Sequence, residues 1–467
     1  MFCQRSVCMS FDRDILHDAK RLHFIGIGGS GMSPLVEILH TLGYTITGSD
    51  NNESDNLNRI RKLERVTVFM GHKADNIAGA EAVVYTSAIS KDNPELKAAA
   101  KAGIPLVERA VLLGAISKRF AQAVAVAGTH GKTTTTSMVA QILLEAEMDP
   151  TLFIGGRLPL IQANGRAGQS ETMVCEACEF QNHYLEMTPA ISLILNVDAD
   201  HLDFFGDLDG VIRSFAQFAS QTTGKVIYNA DDENTKLAVA DVPAEKLVSY
   251  GLSPEAEWHA VNAEMKGAFG EYDLFCGQQM ITHIRLGVPG VHNISNSVGA
   301  AAVATLCGAS PAQISAGLLH FKGAGRRFEG LGTHGGVAIV DDYAHHPTEI
   351  KVTLTTAQKM PYAHVWAVFQ PFTFSRTARH LDEFAEALSI ADTAVVSDIM
   401  GSREINEWNV HSEQITAKMS NGIYLPDFEG IAEYVASHAQ PGDIVITMGG
   451  GDVYKCARMI AAKLDEK

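Results

Sequence analysis

The stretch AVAVAGTHGKTTTT, residues 123–136, sets Gly128, Gly131, Lys132 and a run of threonines between an apolar run and a helix-like one. This is the setting of a phosphate loop, G-x-x-x-x-G-K-[ST], except that Val126 stands where that pattern has its first glycine. Backbone N–H groups of Gly128, Thr129, His130, Gly131 and their successors would cradle phosphate. Lys132 would reach the terminal phosphates, and Thr133 or Thr134 would offer a hydroxyl to Mg2+. A second glycine cluster lies earlier in the chain. Gly26, Gly28 and Gly31 satisfy G-x-G-x-x-G after an apolar run, and Asp50 ends the next such run. Such a loop admits a pyrophosphate to backbone N–H groups while the acid takes a ribose hydroxyl, and this chemistry leaves NAD and a UDP-sugar both open.

Phosphate and metal chemistry also needs carboxylates or imidazoles near the loop. The run TMVCEACEF ends in Glu176 and Glu179, and ISLILNVDADHLD ends in Asp198, Asp200, His201 and Asp203. The C-terminal ends of parallel strands share the edge that carries the phosphate loop, so these groups are expected to converge there. Glu176 and His201, with Thr133, are the preferred Mg2+ ligands.

The elements that position these groups form three consecutive α/β units. LHFIGIG, YTITGSD, AEAVVYTSA and GIPLVE read as buried strands alternating with helices such as MSPLVEILHTLG and NPELKAAAKAG. A fresh strand and helix start near residue 120, with further strands at TMVCEA, ISLILNV and GKVIYNA and a less regular antiparallel stretch over about 252–290. A third start lies near 323, with VAIVDD, HVWAVFQP, TAVVSDI and DIVITMG as strands. The predicted boundaries are 1–120, 121–322 and 323–467: a Rossmann-like unit, a P-loop-type ATPase unit and a second Rossmann-like unit.

The totals agree with such a protein. The chain has 467 residues, 46% of them hydrophobic, enough for several packed domains. A net charge of -17 argues against a reader of nucleic-acid backbones. Seven cysteines include the pair Cys175 and Cys178, with no second pair to complete a zinc site. They read as reduced thiols, with Cys175 and Cys178 pointing into a core, and they favour the cytoplasm. The first twenty residues lack the apolar centre of a signal peptide, and no apolar run is long enough to span a membrane.

Seven motifs in order, GIGGSGMS, AGTHGKTTTT, CEACEF, NVDADHLDFF, HNISNS, GRRFE and DDYAHHPTE, resemble the Mur ligases of peptidoglycan synthesis from about residue 20 to the C-terminus. Within that family the chain is similar to the alanine-adding branch. The resemblance implies three domains, one for a UDP-sugar, one for ATP and one for an amino acid. It implies that the lactyl carboxylate of UDP-N-acetylmuramate takes the γ-phosphoryl of ATP and that the amine of L-alanine attacks the acyl phosphate. It places the UDP-sugar on Gly26, Gly28, Gly29, Ser30, Gly31, Met32, Ser49, Asp50, His72 and Ser87. Lys132, Glu176, His201 and Arg327 become the catalytic set. Asn293 and Asn296 would face adenine, Arg327 and Asp342 the phosphates and ribose, and Tyr343, His346 and Arg376 the amino acid. The expected cofactors are ATP and Mg2+, and the expected state is a monomer or weak homodimer.

The chain departs from the alanine-adding pattern at FQPFTFSRT, where Phe372 and Thr373 follow the QP pair in place of a His and often an Arg. This leaves glycine and L-serine as open alternatives to L-alanine. No lysine lies between His201 and Lys225, so the carbamylated lysine of several Mur ligases is not expected. The competing readings are a recycling ligase that adds an intact tripeptide, an NAD-dependent dehydrogenase, and a UDP-sugar sensor without catalysis. A dehydrogenase leaves GTHGKTTTT unexplained.

Overall fold

The computed structural model describes residues 15–402 and 404–467. The reading of the first residues as free of a leader lies largely outside them, as do Cys3 and Cys8. The chain divides into two compact units. One holds the residues through 259 with 275–279 and 296–317, and the other holds 260–274, 280–295 and 318–467.

The first unit opens with β1 (Arg21–Ile25), β2 (Thr45–Asp50), β3 (Val66–Met70), β4 (Ala82–Tyr85) and β5 (Leu106–Glu108). They form an all-parallel sheet in the order β3-β2-β1-β4-β5. The helices between the strands begin and end where the sequence signals it. Asn93 accepts hydrogen bonds from Glu95 N and Leu96 N ahead of Pro94, and Gly103 closes the same helix in the left-handed region at φ 68°.

Beneath this sheet edge lies a buried polar cluster. Glu95, fully buried, accepts from Ser49 Oγ at 2.6 Å and Asn76 Nδ2 at 2.6 Å, and lies 3.2 Å from His72 Nδ1 and 3.7 Å from His23 Nε2. Burial pushes its pKa up, but hydrogen bonds from His23, Ser49 and Asn76 overturn that and bring it down to about 2. The Ser49 carbonyl accepts from Gly26 N and Ile27 N, so the cluster sits directly under the first glycine loop. Ser49 and His72, which the resemblance assigns to the UDP-sugar, both bond Glu95 in this structure, because a buried carboxylate needs donors within reach.

The second sheet, parallel except at its β7-β8 edge, contains β6 (Gln122–Ala127), β7 (Thr151–Leu158), β8 (Ala163–Arg166), β9 (Thr172–Glu176), β10 (Ile191–Ile194), β11 (Lys225–Asn229) and β12 (Leu247–Gly251). Its order is β12-β11-β10-β6-β9-β7-β8, continued on the β12 side by the consecutive strands β13 (Trp258–Lys266), β14 (Phe269–Cys276) and β15 (Gln279–Pro289). The hairpin β7-β8 is absent from the sequence reading, because GGRLPLIQANGR alternates too little to mark a strand pair.

In the second unit, β16 (Glu329–His334), β17 (Val337–Asp342), β18 (Val365–Phe369), β19 (Thr393–Val396), β20 (Gly422–Tyr424) and β21 (Ile444–Met448) form a sheet in the order β16-β17-β21-β18-β19-β20. β16 runs antiparallel to β17, and the remaining neighbours are parallel. One face buries Ile350, Leu354, Phe384 and Leu388 from the helices Pro347–Ala357 and Leu381–Leu388. The other buries Ile431, Val435, Cys456 and Ile460 from Phe428–His438 and Tyr454–Asp465. β17 and β18 are therefore followed by helices on the face opposite that of β21, which opens a crevice at their C-terminal ends. Among the described residues no helix is long and apolar enough to cross a membrane.

The Glu95 cluster generates a test of stability. Its folded pKa lies below the ordinary 4.5, so its contribution is present above pH 4.5 and is lost as the pH falls towards 2. Glu95→Gln is expected to cost up to about 3 kcal/mol at neutral pH and to flatten the acid limb of stability in that window, measured by urea unfolding across the pH range.

Candidate functional site

The phosphate loop is the four-residue turn between β6 and the helix Lys132–Glu145. Val126 lies inside β6, fully buried and opposite Glu176 in register, so the strand runs on through the position where the general pattern has its first glycine. Gly128 and Gly131 have φ of 145° and 82°, which side chains rarely adopt. A Cβ on Gly128 would also lie 2.9 Å from Leu195 Cβ. The turn is stitched to the end of β10. His130 N donates to Asn196 Oδ1 at 2.8 Å, Asn196 Nδ2 donates to His130 O at 3.1 Å, and Asp198 N donates to Thr129 Oγ1 at 2.9 Å. The Asn296 side chain abuts the same turn, 3.1 Å from where a Cβ on Gly131 would stand.

Lys132 is folded over its own loop. Its ammonium donates to Gly128 O at 2.5 Å and Thr129 O at 3.0 Å, and both oxygens of Glu179 lie within 3.0 Å. Burial works to lower the lysine's pKa, but Glu179 and its neighbours outweigh it and the net direction is upward, so the ammonium stays charged. The threonines have separate tasks. Thr133 Oγ1 donates to Glu176 Oε2 at 2.8 Å, Thr135 bonds back to Gly131 O, and Thr136 is buried. Thr134 is half-buried.

Glu176, at the end of β9, also accepts from Gly155 N at 2.8 Å. His201 opens the short helix Leu202–Phe205 at φ 53°, with its ring edge-on to Phe180 at 5.0 Å between centroids. Among the described residues no three His, Cys, Asp or Glu side chains form a ready-made metal cage. The Thr133–Glu176 pair nevertheless fits Mg2+, which takes a hydroxyl and a carboxylate oxygen and draws its remaining ligands from phosphate and water.

A cavity of about 500 Å3 reaches Glu176 from the first glycine cluster. Gly26, Gly29, Ser30, Gly31, Met32, Asp50 and Ser87 line it, together with Phe153, Gly155, Glu176, Cys178, Phe180 and His183. Gly28 braces the loop instead, donating its N–H to Asp50 Oδ2 at 2.9 Å. Arg109, which the sequence reading passed over, supplies the lining with its one Arg or Lys, its Cδ standing 3.3 Å from where a Cβ on Gly31 would be. Cys178 was expected in a core, but it lines this cavity with its thiol pushed up to about 11 by burial and by Glu179. Cys175 does lie in the core.

In the second unit the twin arginines divide their work. Arg326 bonds Asp341 Oδ2, Gly449 O and Gly451 O, each at 2.9 Å, and ties the triglycine turn after β21 to β17. Arg327 lies over the Tyr343 ring at 5.3 Å and 3.8 Å from Glu349. Asp342 accepts from Thr353 Oγ1 at 2.8 Å, and burial pushes its pKa up to about 6 while Arg327 and Thr353 pull it back. His346 caps the helix Pro347–Ala357. Arg376 forms no ion pair among the described residues, and Asn293 donates to Pro289 O at 2.6 Å where its helix begins.

A lysine-bearing phosphate turn beside a carboxylate–threonine pair, with a cavity running from that carboxylate to a second glycine loop, fits an enzyme that joins a nucleotide-linked acceptor to phosphoryl chemistry. The chain belongs to the Mur ligase family. Residues 21–121 match the Mur ligase family catalytic domain, 126–304 the Mur ligase middle domain, and 326–451 the Mur ligase glutamate ligase domain. The UDP-N-acetylmuramate–L-alanine ligase of Acetivibrio thermocellus is 43% identical over 448 residues, 94% of this chain and 95% of its own. The crystal structure of UDP-N-acetylmuramate–alanine ligase MurC from Thermotoga maritima superposes with a TM-score of 0.81 at 26% identity, covering 96% of this chain and 99% of that one. A murein peptide ligase from Psychrobacter arcticus shares the fold, with a TM-score of 0.74 at 24% identity over 96% of this chain and 99% of its own.

Gly155 tests the Glu176 geometry. A Cβ there would stand 2.5 Å from Glu176 Oε2, so Gly155→Ala must displace the carboxylate. ADP release by the folded variant is expected to fall about 100-fold, the scale of a misplaced reacting group. Undiminished release would show that the carboxylate position is unimportant.

Proposed function

We propose that this chain couples L-alanine to the lactyl carboxylate of UDP-N-acetylmuramate, with ATP converted to ADP and phosphate, in the assembly of peptidoglycan. The observation that carries the reading is the single cavity lined by the diphosphate-type glycine loop and by Glu176 beside the phosphate turn. The near-full-length identity to alanine-adding relatives supports the same acceptor and amino acid. The murein peptide ligase shares only the fold, so the tripeptide-adding reading has less support.

In this reading residues 1–120 bind the UDP-sugar, 121–322 bind ATP and 323–467 bind the amino acid. Turn N–H groups from Gly128 to Thr134 and the Lys132 ammonium hold the phosphates. Lys132 leaves its loop carbonyls for the γ-phosphate as charge moves onto the leaving oxygen. Mg2+ bound by Thr133 and Glu176, with His201 contributing, would screen the repulsion between substrate carboxylate and ATP. The carboxylate oxygen attacks the γ-phosphorus and ADP leaves. The alanine amine then attacks the acyl phosphate, and phosphate departs from the tetrahedral intermediate. Asn293 and Asn296 face adenine, Arg327 and Asp342 serve the phosphates and ribose, and Tyr343, His346 and Arg376 hold L-alanine, with Arg376 pairing its carboxylate. The free thiols Cys175, Cys178, Cys276, Cys307 and Cys456 fit a reducing cytoplasm, and we expect a monomer or weak homodimer.

Lys132→Ala is expected to reduce ADP release by about 1,000-fold or more while UDP-N-acetylmuramate binding changes less than about twofold, since the lysine acts on phosphate. Loss of sugar binding in a folded variant would overturn the domain assignment. Among L-alanine, glycine, L-serine and tripeptide, L-alanine should support the fastest release. Turnover with the tripeptide alone would sink the reading.

A further inference from the structure

The cavity must receive an acceptor with anionic groups at two places, a diphosphate and a carboxylate. The glycine loop and Arg109 at Gly31 suit the first. The second must lie near Glu176, because the acceptor's carboxylate takes the phosphoryl group, and before ATP and Mg2+ are bound the negative Glu176 repels it. A donor of positive character is needed on that wall. Between Phe153 and Met187 the lining holds no Arg or Lys, and its one basic side chain is His183.

His183 is held for such a task. Its ring meets the Phe180 edge at 5.9 Å between centroids, and Phe180 in turn meets His201 at 5.0 Å. Its Nε2 lies 2.9 Å from Glu108 Oε1, at the end of β5, and its side chain is 12% exposed. The hydrogen bond from His183 holds the Glu108 carboxyl below its usual range against the effect of burial. With Nε2 committed to Glu108, Nδ1 is the ring's remaining polar atom, and it has no hydrogen-bond partner among the described residues. With one ring nitrogen against Glu108, the other is left to meet a carboxylate oxygen of the acceptor.

We infer that His183, braced by Glu108, is the positioning residue that reads the acceptor's carboxylate through Nδ1–H and sets it beside Glu176. The inference rests on the ligase reading above. It makes the Glu108–His183 pair a selector of carboxylate-bearing UDP-sugars, not merely a tie between β5 and the stretch after β9.

The test compares two ligands, UDP-N-acetylmuramate and UDP-N-acetylglucosamine, which differ by the lactyl ether and its carboxylate. Binding is measured by calorimetry on the full chain without ATP. His183→Gln can keep a donor towards Glu108 but has no counterpart of Nδ1, whereas His183→Asn offers a donor near the Nδ1 position and abandons Glu108. The expected result is that His183→Gln loses about tenfold in affinity for the carboxylate-bearing sugar, the scale of one charge-assisted hydrogen bond. Its affinity for the other sugar should stay within about twofold, and His183→Asn should retain part of the preference. A parallel loss for both sugars would show that His183 only supports the wall, and an unchanged preference in His183→Gln would equally overturn the assignment. Wild-type ADP release with L-alanine is followed in the same preparation. Its absence would sink the ligase reading, whereas normal release with an unmoved preference would sink the His183 assignment alone.

Discussion

Two anions must meet for this reaction, and the handling of negative charge around one lysine organises the site. The Lys132 ammonium lies within 3.0 Å of Glu179 and of two loop carbonyls. A buried lysine without that carboxylate would tend to lose its proton, because desolvation disfavours the charged form. Glu179 therefore keeps a positive charge ready beside a turn whose N–H groups also favour anions. Glu176 is kept separate by its own partners, Thr133 and Gly155 N. The two acids lie three residues apart in CEACEF yet serve different groups, one an ammonium and the other a hydroxyl suited to a metal.

The backbone around this centre follows from the same need for close approach. Gly155 leaves room for the Glu176 carboxylate, Gly128 allows the turn to touch Leu195, and Gly131 admits the Asn296 side chain. Glu95 holds the Ser49 hydroxyl while the Ser49 carbonyl accepts from Gly26 N and Ile27 N, so a buried carboxylate backs the residue that ties down the first glycine loop. In the second unit Arg326 does comparable work for the triglycine turn after β21.

Much of this was legible in the chain. Strand, glycine turn and helix stand in the expected order at 26–31 and 128–131, and Glu176 does meet Thr133, because a parallel sheet brings successive C-terminal strand ends to one edge. Other assignments could not be read locally. Ser49 and His72 look like polar loop residues next to Asp50, and only the helix Pro94–Ala102 reveals that they serve Glu95. Arg326 and Arg327 are neighbours of identical type that both lie against the Tyr343 ring, and with Arg326 in left-handed backbone the first pairs with Asp341 and the second stands near Glu349. Arg109 and His183 belong to no motif, since the wall they join is made from segments far apart in sequence.

The sequence by itself determined the class of chemistry. Glycines where backbone must approach phosphate, a lysine after the second cluster and acids at strand ends are local requirements that spacing alone can satisfy. Tertiary structure decided the partnerships: Glu179 for Lys132, Glu95 for Ser49, Glu108 for His183. Each is a contact between residues from different elements, and electrostatic energy depends on distance in space and on burial, neither of which is written in the order of residues.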